Sequence, residues 1–347
     1  MSEKSRNQTV VFILLFITVD LALFLPAMKG NFIWDDHYFV ASNPLITSPR
    51  FLPSFLTSPY GGFSGADENS RSLDKSIQFY RPLTSLSFWL DYKVWGMNPA
   101  GFHLTNIILH AANVILLYFI LSAVGFAGLP AFFGGLLFSV FPAHFENVAW
   151  ISGRTDLVSF LFAALSALFF VRFLKKGRTS ALVFSSAFFL LSLLAKESSL
   201  LLFGAYLLVL IWRKEKIRQV VVGMIPFGLA AAAWFLMRQS VFSWSAPQSS
   251  GRGLADVLAV SGFYGFRMIF PFRLSVTVDV LPVFRNPFFI VGGAVMILVF
   301  GIALAVLAFS EAKRPSAPWL IYGAYVLLLI PAVAVIMPAG VVSLVAW

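Results

Sequence analysis

The chain has 347 residues, of which 59% are hydrophobic and only 12% charged, with a formal net charge of +10 and no cysteine. So little charge excludes a soluble domain of this size, and the lack of cysteine excludes disulfides, thiolate metal sites and cysteine nucleophiles. The basic excess is assigned to membrane edges and anionic lipid, not to nucleic acid.

Apolar runs recur along the whole length, and many reach the ~20 residues needed to cross ~30 Å of hydrocarbon. The expected fold is therefore all-α: a polytopic helical membrane protein with about nine spans, forming one transmembrane domain over residues 1–347, in preference to a barrel of ~10-residue alternating strands.

The first run, about Val10 to Pro26, lacks the small-residue cleavage site of a removable signal, and is read as an uncleaved first helix. Asp20 lies inside it, where a carboxylate is costly unless it meets a partner, so a structural hydrogen bond to a neighbouring helix is expected. A polar outer loop follows at about 28–100. It opens with Asn31-Phe-Ile-Trp-Asp35-Asp36 and continues through Phe79-Tyr-Arg81-Pro-Leu-Thr84 into an amphipathic stretch to Trp95, read as a helix lying in the interface. The second span runs from about Phe102 to Val124, with His103, Asn106 and His110 at helical spacing.

After Gly125 to Pro130 a third span reaches the segment Phe141 to Asp156, which holds His144, Glu146, Arg154 and Asp156 between two apolar runs. Further spans are expected at about Leu157–Phe173, Ala181–Ala195 (ending in Lys196-Glu197), Leu200–Trp212, Val220–Leu236, Phe288–Phe309 and Trp319–Met337. A second long outer loop covers about 237–287, with a re-entrant or interfacial piece from Leu254 to Phe270.

Basic residues crowd the N-terminus and the loops at 172–178, 213–218 and 311–318, which the positive-inside rule places in the cytoplasm. The candidate chemistry then shares the outer face: the acids Asp35, Asp36, Glu146, Asp156 and Glu197, with His144, Arg81, Arg154, Lys196, Arg267 and Arg273. Arginine forks beside hydrocarbon suit an anionic head group held by a lipid tail. A phosphate leaving group needs no proton, so one carboxylate suffices to deprotonate an incoming hydroxyl. Asp35 and Asp36 are the first candidates because adjacent carboxylates raise one another's proton affinity, and Glu146 is the competitor. A divalent ion at Asp35-Asp36-His37 or at His144-x-Glu146 ranks below direct contact from arginine and lysine, and no cofactor is required.

Asn31-Phe-Ile-Trp-Asp-Asp36, Tyr80-Arg-Pro-Leu-Thr84, Asn98-Pro-Ala-Gly-Phe-His103, Phe141-Pro-Ala-His-Phe-Glu146 with Gly153-Arg-Thr-Asp156, and Leu194-Ala-Lys-Glu197 occur in an order that resembles the membrane region of the transmembrane and tetratricopeptide repeat O-mannosyltransferases. That family belongs to the GT-C class of glycosyltransferases. The resemblance implies transfer of a sugar, mannose in that family, from a polyprenyl-phosphate donor to an acceptor hydroxyl on protein or glycan at the outer face, with inversion. It also implies that Asp35 or Asp36 serves as the base. Arg154 and Lys196 are expected at the donor phosphate, with Arg267 and Arg273 as helpers. The resemblance is expected to cover the family's membrane region alone, without its repeat domain. The expected location is a bacterial inner membrane, and the alternatives are a flippase of lipid-linked sugars or an inactive assembly scaffold.

Overall fold

The computed structural model describes residues 3–48, 53–60, 79–126, 128–213, 215–242 and 286–295, with a few single positions between 255 and 298. The chain divides into two compact units, one of Met1–Ser199 with Ile225–Ser243 and the other of Leu200–Met224 with Trp244–Trp347. Every regular element among the described residues is helical.

The first unit begins with α1 (Glu3–Phe24), which runs on as a 3-10 turn through Lys29. The outer loop then folds into short helices, α2 (Pro44–Thr47) and α3 (Ser54–Thr57), before α4 (Pro82–Trp95). Next come α5 (Pro99–Val124), α6 (Leu129–Ser139), α7 (His144–Ala149), α8 (Arg154–Lys176) and α9 (Thr179–Ala195). In the second unit lie α10 (Leu201–Trp212) and the start of α11 (Ile217–Val241), whose later part returns to the first.

Local chemistry sets the ends of α5. Asn98 caps it by accepting the Ala100 N–H at 3.2 Å, Pro99 occupies the first position, and Gly125 closes it at φ 119°, in the left-handed region that glycine adopts without strain.

Among the described residues four helices are long and apolar enough to cross a membrane: Ser5–Lys29, Pro99–Val124, Ile151–Lys176 and Ile217–Val241. Shorter apolar helices cover 129–139, 179–195 and 197–212. The count of about nine is not reached among the described residues, and the last two expected spans and the re-entrant piece fall largely outside them.

The third expected span departs from its reading. Its helix α6 has 11 residues, ~17 Å of rise, too short for ~30 Å of hydrocarbon. Pro142 disfavours helical geometry at Phe141, so the way back is completed by the turn at 140–143 and by α7.

Cross-helix bonds fix the directions. Thr9 meets Tyr118 at 3.3 Å and Asp20 meets His110 at 2.9 Å, so α1 and α5 are antiparallel. Arg154 bonds Phe102 O and Asn113 bonds Leu157 O, so α8 runs parallel to α5. The α8–α9 hairpin is stitched by Ser159 to Ser192 and Ser166 to Ser185, serines seven residues apart on each helix. Between helices in lipid there is no hydrophobic drive, and such small residues permit close backbone approach while each interhelical bond contributes ~0.6 kcal/mol. Asp20, fully buried, accepts from Ser139 Oγ at 2.5 Å and pairs His110, which is the structural role expected of it.

Candidate functional site

The site grows from the loop after α1. Trp34 takes φ 46°, an uncommon left-handed conformation for a bulky residue, and the chain turns there so that Asp35 and Asp36 part company. Asp35 is exposed. Asp36 is 1% exposed, and both of its oxygens are engaged: one accepts the Ile33 N–H at 3.1 Å, the other the Ser152 N–H at 2.8 Å and the Ser152 hydroxyl at 2.5 Å. Asp36 therefore joins the first outer loop to the Phe141–Asp156 segment, the second loop along the chain on that face, and Trp34 packs edge-on against Trp150 across the same seam. Burial raises the Asp36 pKa, the bonds from Ser152 and Ile33 work against that, and the Asp35 charge adds to it. Partial desolvation raises Asp35 as well.

Beneath this seam Tyr60 is buried, stacked on Phe39 at 4.2 Å, and its phenol is pushed above the usual range by burial. Its N–H bonds Phe79 O at 2.8 Å, which holds residues 60 and 79 together. Tyr60 lies within electrostatic reach of Arg81, Asp36 and Arg154, so Asp36 and these basic residues share a neighbour.

Arg81 is clamped between rings, 4.0 Å from Phe79 and 5.7 Å from Tyr60, and grips Glu197 bidentately at 2.6 and 3.2 Å. Burial pushes the Glu197 carboxyl up, but the Arg81 guanidinium more than reverses this and holds it below the ordinary value. Beside them Lys196 pairs Asp156 at 2.5 Å, with side chains 22% and 41% exposed. This pair is the more open of the two.

Arg154 departs from the expected phosphate role. It is 0% exposed, and its guanidinium is committed to Asp91 at 2.6 Å, Asn106 at 2.7 Å and the carbonyls of Phe102 at 2.7 Å and Ser87 at 3.4 Å, with the Phe88 ring 4.7 Å away. All of its reach is spent fastening α4 and α5 to the start of α8.

Asn106 extends this junction by donating to Trp150 O at 3.0 Å. Gly153 belongs to it for want of room, since a Cβ there would lie 2.8 Å from Asn147 Cα.

His144 opens α7, half-buried and packed on Phe138 at 4.1 Å, and burial pushes its pKa down to about 4. It is thus neutral at physiological pH, a hydrogen-bonding group and not a counter-charge for phosphate. Glu146 follows on the exposed face of the same turn. Among the described residues no three histidine or acidic side chains converge as a metal-binding set. Arg267 and Arg273 lie outside the described residues.

Three residues went unread in the sequence. Asp91 interrupts an apolar amphipathic helix just as Asp20 interrupts a span, and the same cost argument would have marked it. Tyr60 and Ser152 carry no local signal of their roles, because their partners are distant in sequence.

The fold and the site define a multi-spanning helical membrane protein with acids and cations gathered at the end of its bundle that the charge pattern assigns to the outer face. Comparison with known proteins makes this more particular. Residues 81–244 match the family described as dolichyl-phosphate-mannose-protein mannosyltransferase. The chain is 30% identical over 173 residues to protein O-mannosyl-transferase F38B6.6 of Caenorhabditis elegans, covering 49% of this chain and 24% of that protein. It is 35% identical over 194 residues to protein O-mannosyl-transferase TMTC1 of Homo sapiens (52% and 21%) and 31% identical over 209 residues to TMTC4 of Mus musculus (54% and 27%). The resemblance carried by the ordered motifs is therefore shown, over about half of this chain. The chain spans about a quarter or less of the length of these curated relatives. No solved structure matches.

Proposed function

We propose that the protein is a membrane glycosyltransferase that moves a sugar, mannose as the relatives' names indicate, from a polyprenyl-phosphate donor to an acceptor hydroxyl at the outer face. The observation that carries this reading is the split of the acid pair: Asp36 is locked to Ser152, which leaves Asp35 exposed with a raised pKa, while Tyr60 lies within electrostatic reach of both Asp36 and Arg81, the partner of Glu197.

In this reading Asp35 takes the acceptor proton as the acceptor oxygen bonds to the sugar carbon. The bond from that carbon to the donor phosphate oxygen breaks, its electron pair leaves with the phosphate, and the sugar carbon inverts. Lys196, the more open cation, meets the phosphate by exchanging Asp156 for it, and Arg81 adds its field from beside it. Arg154 acts from below by holding the loops, and Glu146 and His144 stand at the acceptor side. A protein hydroxyl is the acceptor favoured by the relatives' names.

The test is transfer of radiolabelled sugar from polyprenyl-phosphate donors by the purified chain and its variants. Asp35→Asn should lower turnover by about a hundredfold to ten-thousandfold with donor affinity unchanged. Lys196→Ala should instead weaken donor binding. Normal turnover in Asp35→Asn with severe loss in Glu146→Gln would move the base to the second loop, and donor flux without transfer would replace the enzyme by a transporter.

A further inference from the structure

At the far end of α8 from the acid pair, ~33 Å along the helix from Arg154 to Lys176, the turn into α9 borders an open-sided cavity of about 300 Å3. Phe169, Arg172 and Lys176 line it from α8, and Arg178, Ser180 and Phe184 from the turn and α9. Gly177, at φ 65°, ends α8 in the left-handed conformation and lets the next residue start back at once, so cations from both sides of the turn face one space.

The cavity's polarity is graded. Phe169, Arg172 and Lys176 follow one another at spacings of three and four along one face of α8, so the wall passes from ring to cation over ~10 Å. The opposite wall repeats the order, with Phe184 further along α9 from the turn, 53% exposed and 5.4 Å from Phe169, and Arg178 at the turn itself. The Arg172 guanidinium lies 4.8 Å over the Phe169 ring and marks the change of level. No acid lines the cavity.

We propose that this cavity binds an anionic glycerophospholipid of the cytoplasmic leaflet, with its phosphate between Arg172, Lys176 and Arg178 and its chains along Phe169 and Phe184. The gradient favours a lipid over a free anion, because a free phosphate has no use for two rings, one half-buried and one exposed, below the cations. A volume near 300 Å3 suits a head group with the first part of its chains, the rest lying in the bilayer. Diffuse attraction of basic residues to the membrane edge treats every cation of the turn alike. Here Lys175 has the same charge in the same last turn and stands outside the cavity, which separates a site from a charged rim.

The experiment measures lipid retained by the purified full chain in native mass spectrometry, with phosphatidylglycerol or phosphatidylcholine as the probe. Phosphatidylglycerol should be retained in preference, and Arg172→Gln, Lys176→Gln and Arg178→Gln should each cut its retention about fivefold, while Lys175→Gln leaves it unchanged. All four positions are exposed, so the variants should elute as the parent does. Phe184→Ala should also lower retention. Equal losses in Lys175→Gln and Lys176→Gln would assign the effect to diffuse charge and overturn the site. Displacement of the lipid by equimolar inorganic phosphate would make it an anion site and overturn the lipid assignment.

Discussion

Asp35 and Asp36 are identical in type and adjacent in sequence, yet the turn at Trp34 gives one to solvent and one to Ser152. Their substitutions should therefore separate. In Asp36→Asn only one oxygen remains to accept, and the amide nitrogen faces the Ile33 N–H or the Ser152 donors, at a cost of about 1–3 kcal/mol for the buried group left unmatched. Thermal unfolding in detergent should show that loss for Asp36→Asn and little change for Asp35→Asn. The raised pKa of Asp35 has its own signature in rate. A base works only when ionised, so activity falls as pH drops through its pKa, and the acid limb of the pH–rate profile should lie above the ordinary aspartate value and vanish in Asp35→Asn. Sequence reasoning brought the pair forward, but it could not divide the roles. That division depends on a bond between residues 36 and 152, which only the folded helices bring together.

Among the elements, α4 shows how residue type misleads when its partner is unseen. Arg154 reads as a phosphate fork from the sequence. In the structure Asp91, on the buried face of α4, neutralises it, and α5 supplies the Phe102 carbonyl and Asn106. Losing one member of such a buried pair costs about 3–5 kcal/mol, since the other charge is left unpaired. Arg154→Ala and Asp91→Ala should each destabilise the folded protein to that degree, measured as loss of monodisperse protein on heating, while the double variant should lose less than the two combined. Arg154→Lys keeps the charge but not the fork, and should lose stability while leaving donor affinity of the folded fraction intact. Donor affinity falling in step with an unchanged melting profile would return Arg154 to the phosphate site. Helix existence was legible because apolar period and length decide it, as in α5 and α8. The extent of α6 was legible too, since the expected span stopped at the segment opening with Phe141-Pro142, but its 11 residues are too few for the full crossing that was read into it.

For the whole molecule, the antiparallel α1 and α5, the parallel α5 and α8 and the α8–α9 hairpin put the N-terminus and the basic turn at 172–178 at one end of the bundle, with the acid pair at the other. Cysteine accessibility is well suited to this chain, which has none of its own. A cysteine at Lys175 should be protected from impermeant reagent in intact cells, and one at Asn31 should be labelled. The reverse pattern would invert the orientation and the site with it.

The shortness of α6 also bears on the bilayer itself. Leu129, Phe133, Leu137 and Val140 form its exposed stripe, ~17 Å long, and Glu146 follows soon after. Local thinning of the bilayer is one response to so short a stripe, beside the non-helical completion at 140–143, and costs a fraction of a kcal/mol per ångström of mismatch. Where the bilayer thins, its surface lies lower beside α6 than beside α1, α5 and α8, which are long enough to cross it, so lipid arriving along that stripe meets the bundle at a different depth from lipid arriving elsewhere.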